Sequence, residues 1–232
     1  MSLNRIITKD EILSHKDFYN KLIAYFRWYP DRFVDFLISV DETCTFRFYG
    51  YQRVMLRAQL RNQDYSGTFS RGTSKSFINN LGNIIECVLY PNTRLAISAA
   101  VKGQSVAIVE KNITEVLKLI PLLNFEIEKT QKIKDNYFVY FKNGSIIQNL
   151  AAKESSRGLR FTSLTCEELC EVTDQQRNVW NEVVFPTLAI SRRTAGGVLD
   201  RESPTSHHKV TITTAGIKNS IAYDMCLRTL VR

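Results

Sequence analysis

The chain is poor in residues that break, staple or anchor a fold. Ten glycines and five prolines among 232 residues exclude collagenous and low-complexity classes. With 44% hydrophobic residues the composition is that of a packed globular protein, not a disordered one. Five cysteines (Cys44, Cys87, Cys166, Cys170, Cys226) are too few and too scattered for a disulfide framework, and their odd number agrees with reduced thiols. Cys166 and Cys170 have the spacing of a helical pair. No second Cys/His pair at zinc spacing accompanies them, and His207-His208 is an adjacent doublet in a polar loop, so no structural metal is expected. No apolar run approaches the roughly 18 residues of a membrane span. Met1 to Asp10 lacks the apolar core of a signal peptide, so a soluble, intracellular protein without a membrane partner is expected.

What is present is one large domain or two small ones carrying an excess of positive charge, 31 Lys and Arg against 23 Asp and Glu. A charge of +8 suits a polyanionic partner such as nucleic acid. Residues 11–40 carry Phe18, Leu22, Tyr25, Phe26, Phe33, Phe36 and Leu37 at helical spacing around a break at Pro30-Asp31, which predicts an N-terminal helical arm over residues 1–45. A short aromatic strand over 46–51 and a helix over 52–61 are expected next. From there strand-like and helical runs alternate: strand 65–70, helix 75–89, strand 94–99, helix 104–119. A hairpin, 137–141 with 145–150, is predicted across Asn143-Gly144. Strand 161–166, helix 175–188, strand 210–214 and a helix near 220–230 complete the pattern. Strands separated by helices imply an α/β fold with a mainly parallel sheet covered on both faces. Residues 191–209, with Gly-Gly, a Pro and little periodicity, read as the one long loop.

The stretch Ser70-Arg71-Gly72-Thr73-Ser74-Lys75-Ser76 lies between a strand and a helix. Such a loop can cradle phosphates on its backbone N–H groups, with Lys75 reaching the β/γ-phosphates of ATP and the Ser76 hydroxyl on Mg²⁺. It departs from G-x-x-x-x-G-K-[ST] twice, with Phe69 and Ser74 at the glycine positions, and on pattern alone a basic turn at a helix start fits as well. About 90 residues on, the apolar run 161–166 ends in Glu167 and Glu168. Glu167 stands where an acid contacts the magnesium shell and Glu168 where a general base activates water; both also suit a helix N-terminus. A third run, Val210 to Gly216, is a β-branched strand ending in hydroxyls, and Thr214 could sense a γ-phosphate from it.

In this order the three elements resemble the ATPase domain of the large terminase subunit of tailed bacteriophages, the motor that packages DNA into procapsids. The Ser-Arg-x-x-x-Lys-Ser loop is similar to that family's deviant P-loop, residues 156–160 (Ser-Arg-Gly-Leu-Arg) to its Arg-Gly motif, and Thr213-Thr214-Ala215 to its coupling motif. Gln52 resembles the family's adenine-reading Gln, and Ala99-Ala100 and Gln104 also follow its usage. The resemblance spans residues 46–220. It implies a P-loop NTPase core over 46–232, ATP and Mg²⁺ as cofactors, and a ring on the procapsid in the host cytoplasm. It also implies double-stranded DNA, a portal protein and a small terminase subunit as partners. Ser74 in place of Gly and Glu167 in place of Asp bear on the catalytic rate more than on the fold. Family members carry a nuclease domain after the ATPase, so this chain is expected to be a fragment or to meet that domain as a separate chain.

Arg71 lies within the loop and can reach its own nucleotide. Arg157 precedes the strand that ends at Cys166, which predicts a position one strand length, roughly 20 Å, from its own site. If it touches phosphate, that phosphate belongs to a neighbour in a ring; otherwise it is a surface Arg in a Ser/Gly loop. A helicase-type motor would need a second similar domain, for which 232 residues leave no room. A non-catalytic DNA-binding or capsid-docking module with a degraded P-loop is the rival from another class. Arg177, Arg192, Arg193 and Arg201 are candidates for gripping DNA, or plain solvated surface.

Overall fold

The computed structural model describes residues 14–99, 104–200, 203–214, 218 and 220–230. Ala100, Arg201, Ala215, Gly216 and the side chain of Gln104 lie outside the described residues. The N-terminal region forms α1 (Lys16–Trp28) and α2 (Pro30–Val40), broken where predicted, with Pro30 at the first position of α2. Both pack on α3 (Gly50–Arg61). Asp31 is fully buried there, and Arg57 meets it in two hydrogen bonds of 2.6 and 2.8 Å. Burial alone would raise the Asp31 pKa; Arg57 and Arg53 hold it below the ordinary value. Arg53 also grips Asp35, at 2.7 and 2.8 Å, and Arg61 lies over the rings of Trp28 and Tyr29. Arginines at four-residue spacing along α3 thus fasten the arm.

The central sheet has seven strands: β1 (Asp64–Phe69), β2 (Arg94–Ala99), β3 (Ile127–Ile133), β4 (Asn136–Phe141), β5 (Ile146–Leu150), β6 (Ser163–Glu167) and, last in the chain, β9 (His208–Thr214). Their order is β1-β9-β6-β2-β5-β4-β3. The first five run parallel; β5-β4 and β4-β3 are antiparallel. Helices α4 (Lys75–Leu89) and α5 (Gln104–Leu119) cover one face, where Ile78, Leu81, Ile85, Ile97, Val139 and Val210 form the larger core. On the other face Leu164, Cys166, Trp180, Val184, Ile221 and Met225 form a second core. Trp180 follows α6 (Asp174–Val179), and Ile221 opens α7 (Ile221–Leu230). Gly82 is where α3 comes closest to α4: a Cβ there would meet the Gln59 side chain at 2.6 Å.

The structure departs from the predicted elements in four places. Residues 46–49 pair with no strand; Phe46 is buried against Phe48 and Phe77, and this aromatic packing supplies the alternation that reads as β. The helix predicted over 175–188 is α-helical only to Val179, then widens into a π-turn and ends in a 3₁₀ turn around Pro186, which has no N–H to donate. The polar, exposed β3 carries no apolar period to announce it and is stabilised by pairing with β4. The supposed loop 191–209 contains a two-stranded ribbon, β7 (Arg192–Arg193) with β8 (Leu199–Asp200). Arg192 is buried in it, pairing with Asp200 and lying over the Tyr90 ring, so it is not a free DNA-gripping cation.

A fully buried ion pair joins α4 to β9. His208 Nδ1 lies 2.8 Å from Glu86 Oε2, and Nε2 lies 2.8 Å from the Gln59 carbonyl. Burial alone would lower the His208 pKa; the Glu86 carboxylate and the Gln59 carbonyl raise it above the ordinary value. The stability from this shift is fully present below the unfolded-state pKa of about 6.5 and is lost as pH rises through the raised folded value. Thermal unfolding across that window should show the loss in the parent and not in His208→Gln. That variant should also be less stable by about 3–5 kcal/mol, because Glu86 stays buried without its cation.

Candidate functional site

Because β1, β9 and β6 are parallel neighbours, their C-terminal ends reach one edge of the sheet, with Thr214 in register with Phe69 and Glu167 with Ile212. β1 and β6 are two strand spacings apart, about 10 Å. The loop after β1 turns through Gly72 at φ 83°, with open space where a Cβ would stand, and through Ser74 at φ 52°, ψ 29°. Ser74 is thus a left-handed residue at a position that favours glycine. The Thr73 hydroxyl donates to the Ser70 carbonyl at 2.9 Å, and the Tyr51 hydroxyl donates to the Thr73 carbonyl at 3.1 Å. No side chain caps α4, which opens at Lys75, so its first N–H groups are left for another acceptor. Ser70, Arg71, Gly72 and Ser74 are exposed, while Thr73, Lys75 and Ser76 are partly covered.

Lys75 Nζ lies 2.6 Å from Glu168 Oε1. Glu168 takes the left-handed conformation (φ 54°, ψ 43°) as the chain leaves β6, and its N–H donates to the Ile212 carbonyl at 2.8 Å. The Thr214 hydroxyl donates to the other Glu168 oxygen at 3.5 Å and lies 3.2 Å from Cys170 Sγ. Cys166 ends up inside β6 and Cys170 in the turn after it, so the two are not a helical pair. Glu167, the last residue of β6, is only 2% exposed. Asn79 and Asn80 of α4 both donate to its Oε1, at 2.8 and 3.0 Å, and Asn80 also donates to the Ser76 carbonyl at 2.8 Å. Burial raises the Glu167 pKa, against the two amide donors, and Glu168 adds to the rise.

The edge thus unites Ser70, Arg71, Gly72, Thr73, Ser74, Lys75 and Ser76 with Glu167, Glu168 and Thr214. A cation, two carboxylates, a hydroxyl and exposed backbone donors in one place can bind an anion and move a proton. Arg71 is exposed and pairs with no described carboxylate. Gln52 is buried, and its amide oxygen accepts the Tyr49 N–H at 2.9 Å as part of the cap of α3. Arg157 stands apart, exposed, 3.0 Å from Glu154 and 4.0 Å from Glu182. Its expected place at the far end of β6 needs correction. The segment leaves β5 at the same edge as the site, and the Ser156 hydroxyl donates to the Ala151 carbonyl directly after β5. The separation is therefore sideways along the sheet, with β2 between β5 and β6, and β9 and then β1 beyond β6. Asn79 and Asn80 escaped the sequence reading, and Cys170 entered it only as half of a metal-type pair; two adjacent asparagines inside a mostly apolar helix were the available signal.

Strain at Ser74 yields a test. A non-glycine residue in the left-handed region costs about 1–2 kcal/mol, while glycine gains about 0.4–1 kcal/mol of unfolded-state freedom. Ser74→Gly should therefore lie between neutral and about 1.6 kcal/mol more stable in urea unfolding.

No protein-family model matches the chain, and no curated protein matches it. Solved structures do. The large terminase of bacteriophage HK97 is similar at a TM-score of 0.61 and 16% identity, over 80% of this chain and 37% of that one. The large terminase ATPase domain of Thermus phage P74-26 is similar at a TM-score of 0.53 and 15% identity, over 76% of this chain and 69% of that one. The chain therefore spans little more than a third of the HK97 protein. With its mainly parallel sheet flanked by helices, the chain has the P-loop NTPase fold of phage large-terminase ATPase domains.

Proposed function

We propose that the chain is the ATP-hydrolysing motor domain of a phage large terminase, driving double-stranded DNA into procapsids. One observation carries the reading. Lys75 and Glu168, 93 positions apart, meet at 2.6 Å, and Thr214 from the strand between theirs reaches the same carboxylate. All three stand at the end of the sheet where α/β proteins bind ligands.

The open backbone at Gly72 and the uncapped start of α4 suit the phosphates of ATP. The Ser76 hydroxyl and the Glu167 carboxylate would supply oxygen donors of the kind Mg²⁺ takes, and the ion's charge would neutralise the phosphoryl oxygens. Lys75 and Arg71 stabilise charge that develops during transfer. Glu168 accepts the proton of the attacking water. To serve the phosphates, Lys75 must leave Glu168, and the same movement frees the carboxylate to act as base. Thr214, in contact with Glu168, reports the change along β9, and Gln52 stands at the start of α3 to read adenine. The portal protein, the small terminase subunit and neighbouring copies in a ring complete the machine, at the procapsid in the host cytoplasm.

Lys75→Ala should lower ATP hydrolysis by about 10²–10³-fold, as loss of a transition-state donor does, with the unfolding midpoint little changed. Glu168→Gln should keep ATP binding and lose turnover, whereas Glu167→Gln should weaken binding that depends on magnesium. Phosphate-release and nucleotide-binding assays decide; parent-like rates in Lys75→Ala would overturn the assignment.

The Arg157 guanidinium pairs with Glu154 and Glu182 and with no residue of the Lys75 and Glu168 site, and the likeness to the family's Arg-Gly motif makes a neighbour's phosphate its target. Arg157→Ala should leave the slow rate of the isolated chain unchanged and abolish the stimulation on ring assembly, about 10³–10⁵-fold for an arginine finger. Mixed rings of Arg157→Ala and Glu168→Gln subunits should recover part of the activity. Failure of verified mixed rings to recover would return Arg157 to the status of a surface residue.

A further inference from the structure

A second concavity opens at the opposite edge of the sheet. It has a volume of about 660 Å³ and is lined by Asn92, Arg94, Thr162, Ser191, Arg193 and Thr194, together with small and apolar residues. Arg94 opens β2 and Thr162 precedes β6, so the cavity sits at the N-terminal ends of strands whose C-terminal ends carry Glu167 and its neighbours. Six strand residues separate the two edges by about 20 Å. The cavity is therefore distinct from the Lys75 and Glu168 site.

Its walls are built. The Arg94 N–H donates to the Thr162 hydroxyl at 2.9 Å, and the Thr162 N–H donates to the Arg94 carbonyl at 2.9 Å. The β7/β8 ribbon forms the far wall and is pinned by the buried Arg192, which pairs with Asp200 and donates to the Pro91 carbonyl at 3.3 Å. The Asn92 amide donates to the carbonyls of Arg193 and Thr194, at 3.2 and 3.1 Å. Its charge is of one sign. Arg94 and Arg193 are exposed, and no carboxylate is among the lining residues. Asp200, the sole acid between residues 191 and 200, is already taken by Arg192. Among the described residues nothing pairs with the Arg94 guanidinium, and one Arg193 nitrogen donates to the Gly197 carbonyl at 2.8 Å.

We propose that this cavity is a second ligand site, for a phosphate group, with Arg94 and Arg193 as its cations. Two guanidinium groups without a competing acid suit bidentate recognition of phosphate oxygens, and the volume is that of a small-molecule pocket. The phosphate can come from a DNA backbone or from a free nucleotide. The DNA source rests on the motor reading; the nucleotide source does not.

The test uses the full chain with a labelled 20-base-pair duplex over a salt series, and with ADP and inorganic phosphate. Arg94→Gln with Arg193→Gln keeps the side-chain stems and removes both charges. With DNA as the source, duplex affinity falls about equally for all sequences, and the slope of log K against log salt becomes shallower by about 2, near 0.9 per lost contact. With a free phosphate as the source, duplex binding is unchanged, while a class of ADP or phosphate binding that survives Lys75→Ala is lost. If the folded double variant binds duplex, ADP and phosphate as the parent does, the proposal is overturned. Failure of the motor reading looks different: Lys75→Ala would then hydrolyse ATP normally whatever the cavity variants do.

Discussion

A helix that leaves an exposed loop and runs beneath a sheet must find partners for the polar side chains on its inner face, and α4 carries four: Asn79, Asn80, Asn83 and Glu86, all fully buried. Each finds at least one, although Asn79 Oδ1, Asn80 Oδ1 and Asn83 Nδ2 are left without a partner among the described residues. The partners stand on alternate residues of β6. Ser163 donates to Glu86, Thr165 to Asn83 at 2.9 Å, and Glu167 accepts from Asn79 and Asn80. As the strand advances by two residues, about 6.6 Å, the helix retreats by three or four, about 4.5–6 Å. The two periods are close enough for side-chain length to absorb the difference. The result is a buried ladder of three rungs that fixes where α4 lies along β6. Lys75 is the first residue of that helix and Glu168 the residue after that strand, so the ladder sets the distance between them. A shift of β6 by one residue would turn Leu164 and Cys166 toward the asparagines and bury Glu167 in the second core.

The same ladder explains what could be read from the sequence and what could not. The order of strands and helices was legible because the parallel strands are apolar runs with helical periods between them. The loop 70–76 and the pair Glu167-Glu168 were legible because each is contiguous and sits at a strand end. Asn79 and Asn80 were not, since inside a helix pattern an asparagine signals only a weak helix former; its partner 87 residues away is invisible until the sheet is assembled. Arg192 failed for the converse reason. A charged residue in a Gly-rich segment reads as surface, and only the fold reveals Asp200 and Tyr90 around it. Arg157 was located from the strand that follows it, whereas the strand that precedes it decides where the segment starts.

The helical arm reaches the site through α3. Asp31 and Asp35 hold Arg53 and Arg57, which orients α3 so that Tyr51, one residue into the helix, meets the Thr73 carbonyl. Gln59, near the other end of α3, touches the ladder itself, donating to the Asn79 carbonyl at 3.2 Å and accepting His208 through its own carbonyl. One helix therefore contacts both the loop and the polar ladder behind it, and Gly82 allows the approach.

Shared partners also constrain how such a chain can diverge. Replacing a single rung with an apolar residue leaves its partner buried and unsatisfied, a loss of about 1–3 kcal/mol, whereas replacing both sides with apolar groups of matching shape is nearly neutral. His208, Glu86 and Ser163 form one such unit; Glu167, Asn79 and Asn80 form another. Along this seam each substitution depends on the residue already present opposite, so viable changes must arrive in sets, and the order in which they occur decides which routes are open.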